Sequence, residues 1–158
     1  MNKIITIIII LCYSISPSQA KGIFGGLIGG AVGRSIGESK KTLSQNDKEK
    51  ILLDMANKIN KGLPKRLNEY RRLDSISSGP GLLFTYHYTL TQDTSKSVSE
   101  NDIKAFLQED RKAVKLTFCN TPATLFFPKQ NITASYSFRL SDGVYAGKFD
   151  IYPVDCGY

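Results

Sequence analysis

Between Leu82 and Leu90 the chain reads Leu-Leu-Phe-Thr-Tyr-His-Tyr-Thr-Leu. This alternation assigns Leu82, Phe84, Tyr86, Tyr88 and Leu90 to one face of a strand and Leu83, Thr85, His87 and Thr89 to the other. An apolar face of this size needs a cover, so the pattern predicts a central strand with helices over its first face. A second alternation sets Ile132, Ala134, Tyr136, Phe138 and Leu140 against Thr133, Ser135, Ser137 and Arg139. It turns at Asp142-Gly143 and returns through Tyr145, Gly147, Phe149 and Ile151, which predicts a hairpin. A weaker strand is expected over 67–76, turned into the central strand by Ser77-Ser78-Gly79-Pro80-Gly81 as an antiparallel hairpin.

Two segments carry the helical period instead. Asn46 with Glu49 three residues on has the form of a capping box, and Leu52, Met55, Ala56, Ile59 and Leu63 follow on one stripe until Gly62 and Pro64 stop it. Ser99 with Asp102 forms a second box ahead of Ile103, Phe106, Leu107, Val114 and Phe118. Thr121-Pro122 restarts a short helical turn carrying Leu125, Phe126 and Phe127. The fold expected over 46–158 is therefore α+β in α-β-β-α-β-β order, a four-stranded antiparallel sheet with helices packed on one face.

The N-terminal part reads differently. Residues 1–20 have a basic start, an apolar run from Ile4 to Leu11 too short to span a bilayer, and Ser18-Gln19-Ala20 as a cleavage site, which together predict a secretory signal peptide. Leu11 precedes Cys12 where a lipoprotein site wants a small residue. Residues 21–45 form a glycine-rich basic arm and linker, in which Gly25, Gly29 and Gly33 recur every fourth residue among Ile23, Phe24, Leu27 and Ile28. On a helix such spacing makes a flat face that another backbone can approach closely, as in glycine-zipper segments of envelope proteins. Contact with a membrane or partner, pairing with a second copy, and a flexible tail are all compatible with it.

Cleavage would leave Cys119 and Cys156, an even count in an oxidising compartment, which predicts one disulfide. It would fasten the end of the second helix to the end of the sheet. Charge is uneven, with twelve Lys/Arg against five Asp/Glu from Lys21 to Arg72 and eight against nine from Leu73 to Tyr158. The basic half points to an envelope protein or an anionic membrane surface as neighbour, or serves solubility alone; nucleic acid is not expected.

Catalytic chemistry finds little support. There is no Gly-rich phosphate loop after a strand and no His/Cys set at metal spacing, so no metal, cofactor or catalytic residue is assigned. The sole histidine, His87, lies on the face opposite the aromatic stripe, where with Thr85 and Thr89 it marks a partner-binding surface rather than a catalytic base. Tyr86, Tyr88, Tyr136, Tyr145 and Tyr152 either line a ligand groove or sit in the core with hydroxyls at its rim.

The set Gly79-Pro80-Gly81, Phe84-x-Tyr86-x-Tyr88, Cys119, Tyr136, Asp142-Gly143 and Asp155-Cys156 resembles small exported bacterial proteins. The order of elements over roughly 46–157 is similar to that of the β-sheet class of type II secretion pilotins, lipoproteins that bind a helix of an outer-membrane secretin. The resemblance implies a sheet-plus-helices fold and helix-in-groove binding. The expected function is an exported, periplasmic or secreted, non-enzymatic accessory protein of the cell envelope. An envelope-polymer hydrolase and a secreted membrane-active virulence factor are the alternatives.

Overall fold

The computed structural model describes residues 43–158, so the signal segment and the glycine-rich arm lie outside the described residues. The chain forms helix α1 (Gln45–Asn60), strands β1 (Lys65–Arg66), β2 (Arg71–Gly79) and β3 (Leu83–Leu90), helices α2 (Glu100–Asn120) and α3 (Phe126–Lys129), strands β4 (Thr133–Leu140) and β5 (Tyr145–Ile151), and a terminal 3-10 turn (Pro153–Cys156). The strands make one sheet in the order β1-β2-β3-β4-β5.

Two corrections to the expected architecture follow. The sheet has five strands rather than four, because Lys65 and Arg66 pair with Leu73 and Arg72 as a short edge strand. It is mixed rather than antiparallel, because β3 and β4 run parallel from Leu83↔Thr133 to Leu90↔Leu140. The cause is the connection: α2 carries the chain back along the sheet, so β4 restarts at the same end as β3 and must run the same way. The other pairings are antiparallel, including the β4–β5 hairpin expected from its alternation.

Helix α1 starts two residues before the expected Asn46 cap. Ser44 Oγ accepts from the Asp47 N–H at 3.2 Å, and the Asp47 carboxylate accepts from the Ser44 N–H at 3.3 Å. Leu52, Met55, Ala56 and Ile59 are buried, as their spacing required. At the far end the Asn60 side-chain amide donates to the Ile76 carbonyl at 2.8 Å and its oxygen accepts the Ile76 N–H at 2.7 Å. Asn60 thereby fills the edge of β2 that β1 is too short to reach, satisfying two backbone groups at once.

Helix α2 begins at the Ser99–Asp102 box read from the sequence, with Ser99 Oγ accepting the Asp102 N–H at 3.2 Å. The restart at Thr121-Pro122 forms only a turn, and the short helix comes later, at Phe126. Cys119 and Cys156 are joined, with 5.1 Å between their Cα atoms. The bridge ties the end of α2 to the 3-10 turn after β5.

The core lies on one side of the sheet. Phe84, Tyr86, Tyr88, Tyr136, Phe138 and Phe149 are buried there beneath the helices, joined by Phe127 from α3. Tyr86, Tyr88, Tyr136, Phe138 and Phe149 stack across β3, β4 and β5, with Tyr86 and Tyr136 nearly parallel at 5.1 Å between ring centres. These tyrosines are core residues, and burial pushes the hydroxyls of Tyr86, Tyr88 and Tyr136 well above their ordinary pKa. Tyr145 and Tyr152 belong to neither the core nor a shared groove with them; both are exposed.

Candidate functional site

Two surfaces are built by this arrangement, one on each side of the sheet. On the side away from the core, Thr85, His87 and Thr89 of β3 project together, as the alternation required, and each is half-buried. The register sets Ser75 opposite His87 and Thr85 beside Ser135. A bulge in β2 between Leu73 and Ser75 inserts Asp74 as an extra residue, so Asp74 and Ser75 stand together on this face. Thr89 Oγ1 donates to Asp74 Oδ2 at 2.6 Å, and Arg72 holds the other carboxylate oxygen. Ser77 Oγ and His87 Nε2 share a hydrogen bond of 2.8 Å. A shallow depression of about 300 Å³ lies among Asp74, Ser75, His87, Tyr88, Ser137 and Arg139.

The electrostatics keep His87 neutral. Partial burial lowers its pKa and the Arg139 guanidinium lowers it further, while Asp74 pulls the other way. A neutral imidazole hydrogen-bonded to a serine is half of a nucleophile–base pair. Among the described residues no carboxylate is hydrogen-bonded to the ring; Asp74, the nearby one, accepts from Thr89 and Arg72 instead. The Ser77–His87 bond is a cross-strand tie between β2 and β3. The sequence holds one clue to this face that was missed: Leu73 and Ile76 point inward three residues apart, a spacing a regular strand forbids and a bulge explains.

The second surface lies between the helices on the core side. Helix α1 packs on β2 and α2 packs on β5, leaving β3 and β4 between them. Three strand spacings separate the two supports, about 14 Å, against the roughly 8–10 Å at which helices pack directly. The side chains of β3 and β4 between them are nonetheless covered, Phe84, Tyr86, Tyr88, Tyr136 and Phe138 being at most 5% exposed. Helix α2 is under-covered: of 21 residues only Phe118 is buried, while Ile103, Phe106, Leu107 and Val114 are half-buried. In α1, by contrast, 16 residues provide four buried side chains.

Arg71 bridges β2 and α2. From the start of β2 its guanidinium lies 5.4 to 5.6 Å from the ring centres of Tyr88, Phe106 and Phe138, and Nη2 donates to Asp110 Oδ1 of α2 at 2.7 Å. The pair is partly desolvated, with side chains 23% and 14% exposed, which strengthens both the ion pair and the cation–π contacts. Asp110 Oδ2 is buried with no hydrogen-bond partner among the described residues. Arg71 and Asp110 were not singled out in the sequence, because the pair is 39 residues apart and only the fold joins it.

No protein-family profile matches the chain, and no curated protein matches it in sequence. Solved structures do match in fold. A candidate secreted protein of Pseudomonas aeruginosa superposes with a TM-score of 0.59 at 16% identity, over 76% of this chain and 99% of its own. The pilotin of the Vibrio vulnificus type 2 secretion system matches with a TM-score of 0.57 at 14% identity, over 71% of this chain and 94% of its own. The type II secretion pilotin of Vibrio cholerae gives 0.54 at 12%, with the same coverages. The chain shares the pilotin fold. The glycine-rich residues Ile23, Phe24, Gly25, Leu27, Ile28, Gly29 and Gly33 lie outside the described residues.

Proposed function

We propose that this chain is an exported, non-enzymatic accessory protein of the bacterial envelope, which docks a helix of an envelope partner against the half-covered apolar stripe of α2. The observation that carries the reading is the half-covered stripe of α2, Ile103, Phe106, Leu107 and Val114, in a fold shared with two secretion pilotins. An amphipathic helix laid against that stripe would complete its burial. The partner class implied by the pilotin resemblance is a helix of a secretin. The Cys119–Cys156 disulfide supports an oxidising compartment, consistent with export.

The outer face gives a second reading, favoured by the depression around His87. There Thr85, His87 and Thr89 would meet a polar partner or envelope component through hydroxyl, imidazole and guanidinium groups. A photo-crosslinking amino acid placed in turn at Ile103, Val114, Thr85 and Thr89 of the exported chain separates the two in living cells. Adducts to one envelope protein from positions 103 and 114 support the α2 face. Adducts from 85 and 89 alone move the partner to the outer face, and adducts from neither set overturn the docking function. Serine-ester hydrolysis by the purified chain that is lost in Ser77→Ala would replace it with a hydrolase.

A further inference from the structure

We propose that the depression on the outer face of the sheet is a site for a carboxylate, held by the Arg139 guanidinium with the Ser75 and Ser137 hydroxyls beside it. The inference rests on the outer-face reading above and names the group recognised there.

The depression has a backbone cause. Leu73 of β2 and Phe138 of β4 both pair with Tyr88, one on each side of β3. Just past each of them the ladder shifts register, between Leu73 and Ser75 and between Phe138 and Arg139. Bulges re-aim the side chains that follow them, and these two lie at one level of the sheet, where the hollow opens. Its volume of about 300 Å³ is at the lower end of ligand-sized clefts and suits a ligand no larger than an amino acid.

Charge gives the ligand its sign. On this face Arg72 is paired with Asp74, and Lys148 with Asp150 at 3.4 Å, whereas Arg139 has no carboxylate partner among the described residues. Its head is nonetheless held, because Nη1 donates to the Gly143 carbonyl at 3.0 Å, which leaves further N–H groups for a ligand. The guanidinium is near enough to the imidazole to lower the pKa of His87. Ser75 and Ser137 flank His87 in register, and neither hydroxyl is hydrogen-bonded among the described residues. His87 Nε2 is shared with Ser77. When Ser77 donates that bond, the neutral ring carries its hydrogen on Nδ1 and is a further donor.

A planar carboxylate matches the guanidinium fork and takes its remaining hydrogen bonds from the hydroxyls. Asp74 lines the same hollow. Arg72 balances its charge, but the second negative charge of a phosphate dianion would still face it, so the site selects a monoanion.

The chain has one histidine, so its imidazole proton signals report on the hollow without ambiguity. The test titrates N-acetylalanine into the purified exported chain at about pH 7.5, where the ring is neutral, and follows those signals by NMR. The expected result is a saturable shift with a dissociation constant of about 1 mM, the scale for a ligand of so few atoms. The amide of the same compound, which lacks the charge, should give no saturable shift. Arg139→Gln should weaken binding about tenfold and Ser137→Ala about threefold. Equal binding by Arg139→Gln and the parent chain, equal binding of acid and amide, or no saturable shift at all overturns the carboxylate site. Inorganic phosphate binding more tightly than the acid overturns the choice of carboxylate and assigns the hollow to phosphate. None of these outcomes touches protein docking on the outer face, which the crosslinks from positions 85 and 89 decide separately.

Discussion

His87 is the residue whose chemistry the fold alters in a measurable way. Its pKa in the folded chain lies below the ordinary value of 6.5, first through partial burial and then through Arg139. Above about pH 6.5 the ring is neutral in both folded and unfolded chains and pH has no leverage through it. As pH falls below that value the unfolded chain takes up the proton first, so the folded state loses stability. There is one histidine in the sequence, so the slope of unfolding free energy between pH 5 and pH 7 should be positive and should flatten in His87→Gln. Equal slopes in urea titrations of the two chains would show that His87 is not the origin. Gly147 makes a different demand, through its backbone. Its φ is +142°, and an added Cβ would lie 2.6 Å from Leu107 Cδ1. Gly147→Ala should destabilise by about 2 kcal/mol, mostly from the φ strain. Adding Leu107→Ala should therefore fail to restore the loss; full recovery in the double variant would assign the cost to the contact alone.

At the scale of elements, what the sequence made legible was whatever is written in local spacing. The alternation through β3, β4 and the second half of β5, the Ser99–Asp102 cap and the stripe of α1 appeared where expected, because each rests on residues within one element; Tyr145 left the inner set, being exposed where the β4–β5 register shifts. The start of α1 was missed by two residues because Ser44-x-x-Asp47 and Asn46-x-x-Glu49 both have the form of a capping box; the Ser44 side chain wins with two bonds to Asp47. Strand β1 was missed because two residues hold no period. The disulfide was legible from an even cysteine count, and its energetic role can now be stated. It closes a separation of 37 residues, so on the chain-entropy model it stabilises by about 4 kcal/mol. Cys119→Ser with Cys156→Ser should lose an amount near this in urea unfolding, and the loss should be accompanied by faster amide exchange at the C-terminal turn of α2, where the bridge is attached. A loss below about 1 kcal/mol would mean that the Arg111–Asp155 and Lys115–Asp155 ion pairs hold that end without it.

At the scale of the molecule the feature that mattered most was the one least legible. A period of two fixes which face a side chain takes but not which way its strand runs, so the alternation was equally consistent with an antiparallel sheet and with the parallel β3–β4 pair. The candidate sites divided in the same way. Thr85, His87 and Thr89 were legible as one face of a strand, whereas Asp74 reached them through a bulge, and Arg71 meets Asp110 only because the fold brings the start of β2 to α2. The parallel pair also sets where stability resides. Strands β3 and β4 are central, paired on both sides, and carry the stacked rings of Tyr86, Tyr88, Tyr136 and Phe138. Strand β1 is a two-residue edge, and α2 buries a single residue fully. Opening of local units should follow that order. Native-state hydrogen exchange should give the slowest amides in β3 and β4, at the global unfolding limit, and the fastest in β1 and the first turns of α2. The half-covered stripe of α2 adds a condition to this pattern. A helix docked against Ile103, Phe106 and Leu107 completes the cover of α2, so occupancy should slow exchange in α2 far more than in β3. Protection of α2 equal to that of the central strands in the chain without partner would mean that the stripe needs no partner helix to cover it.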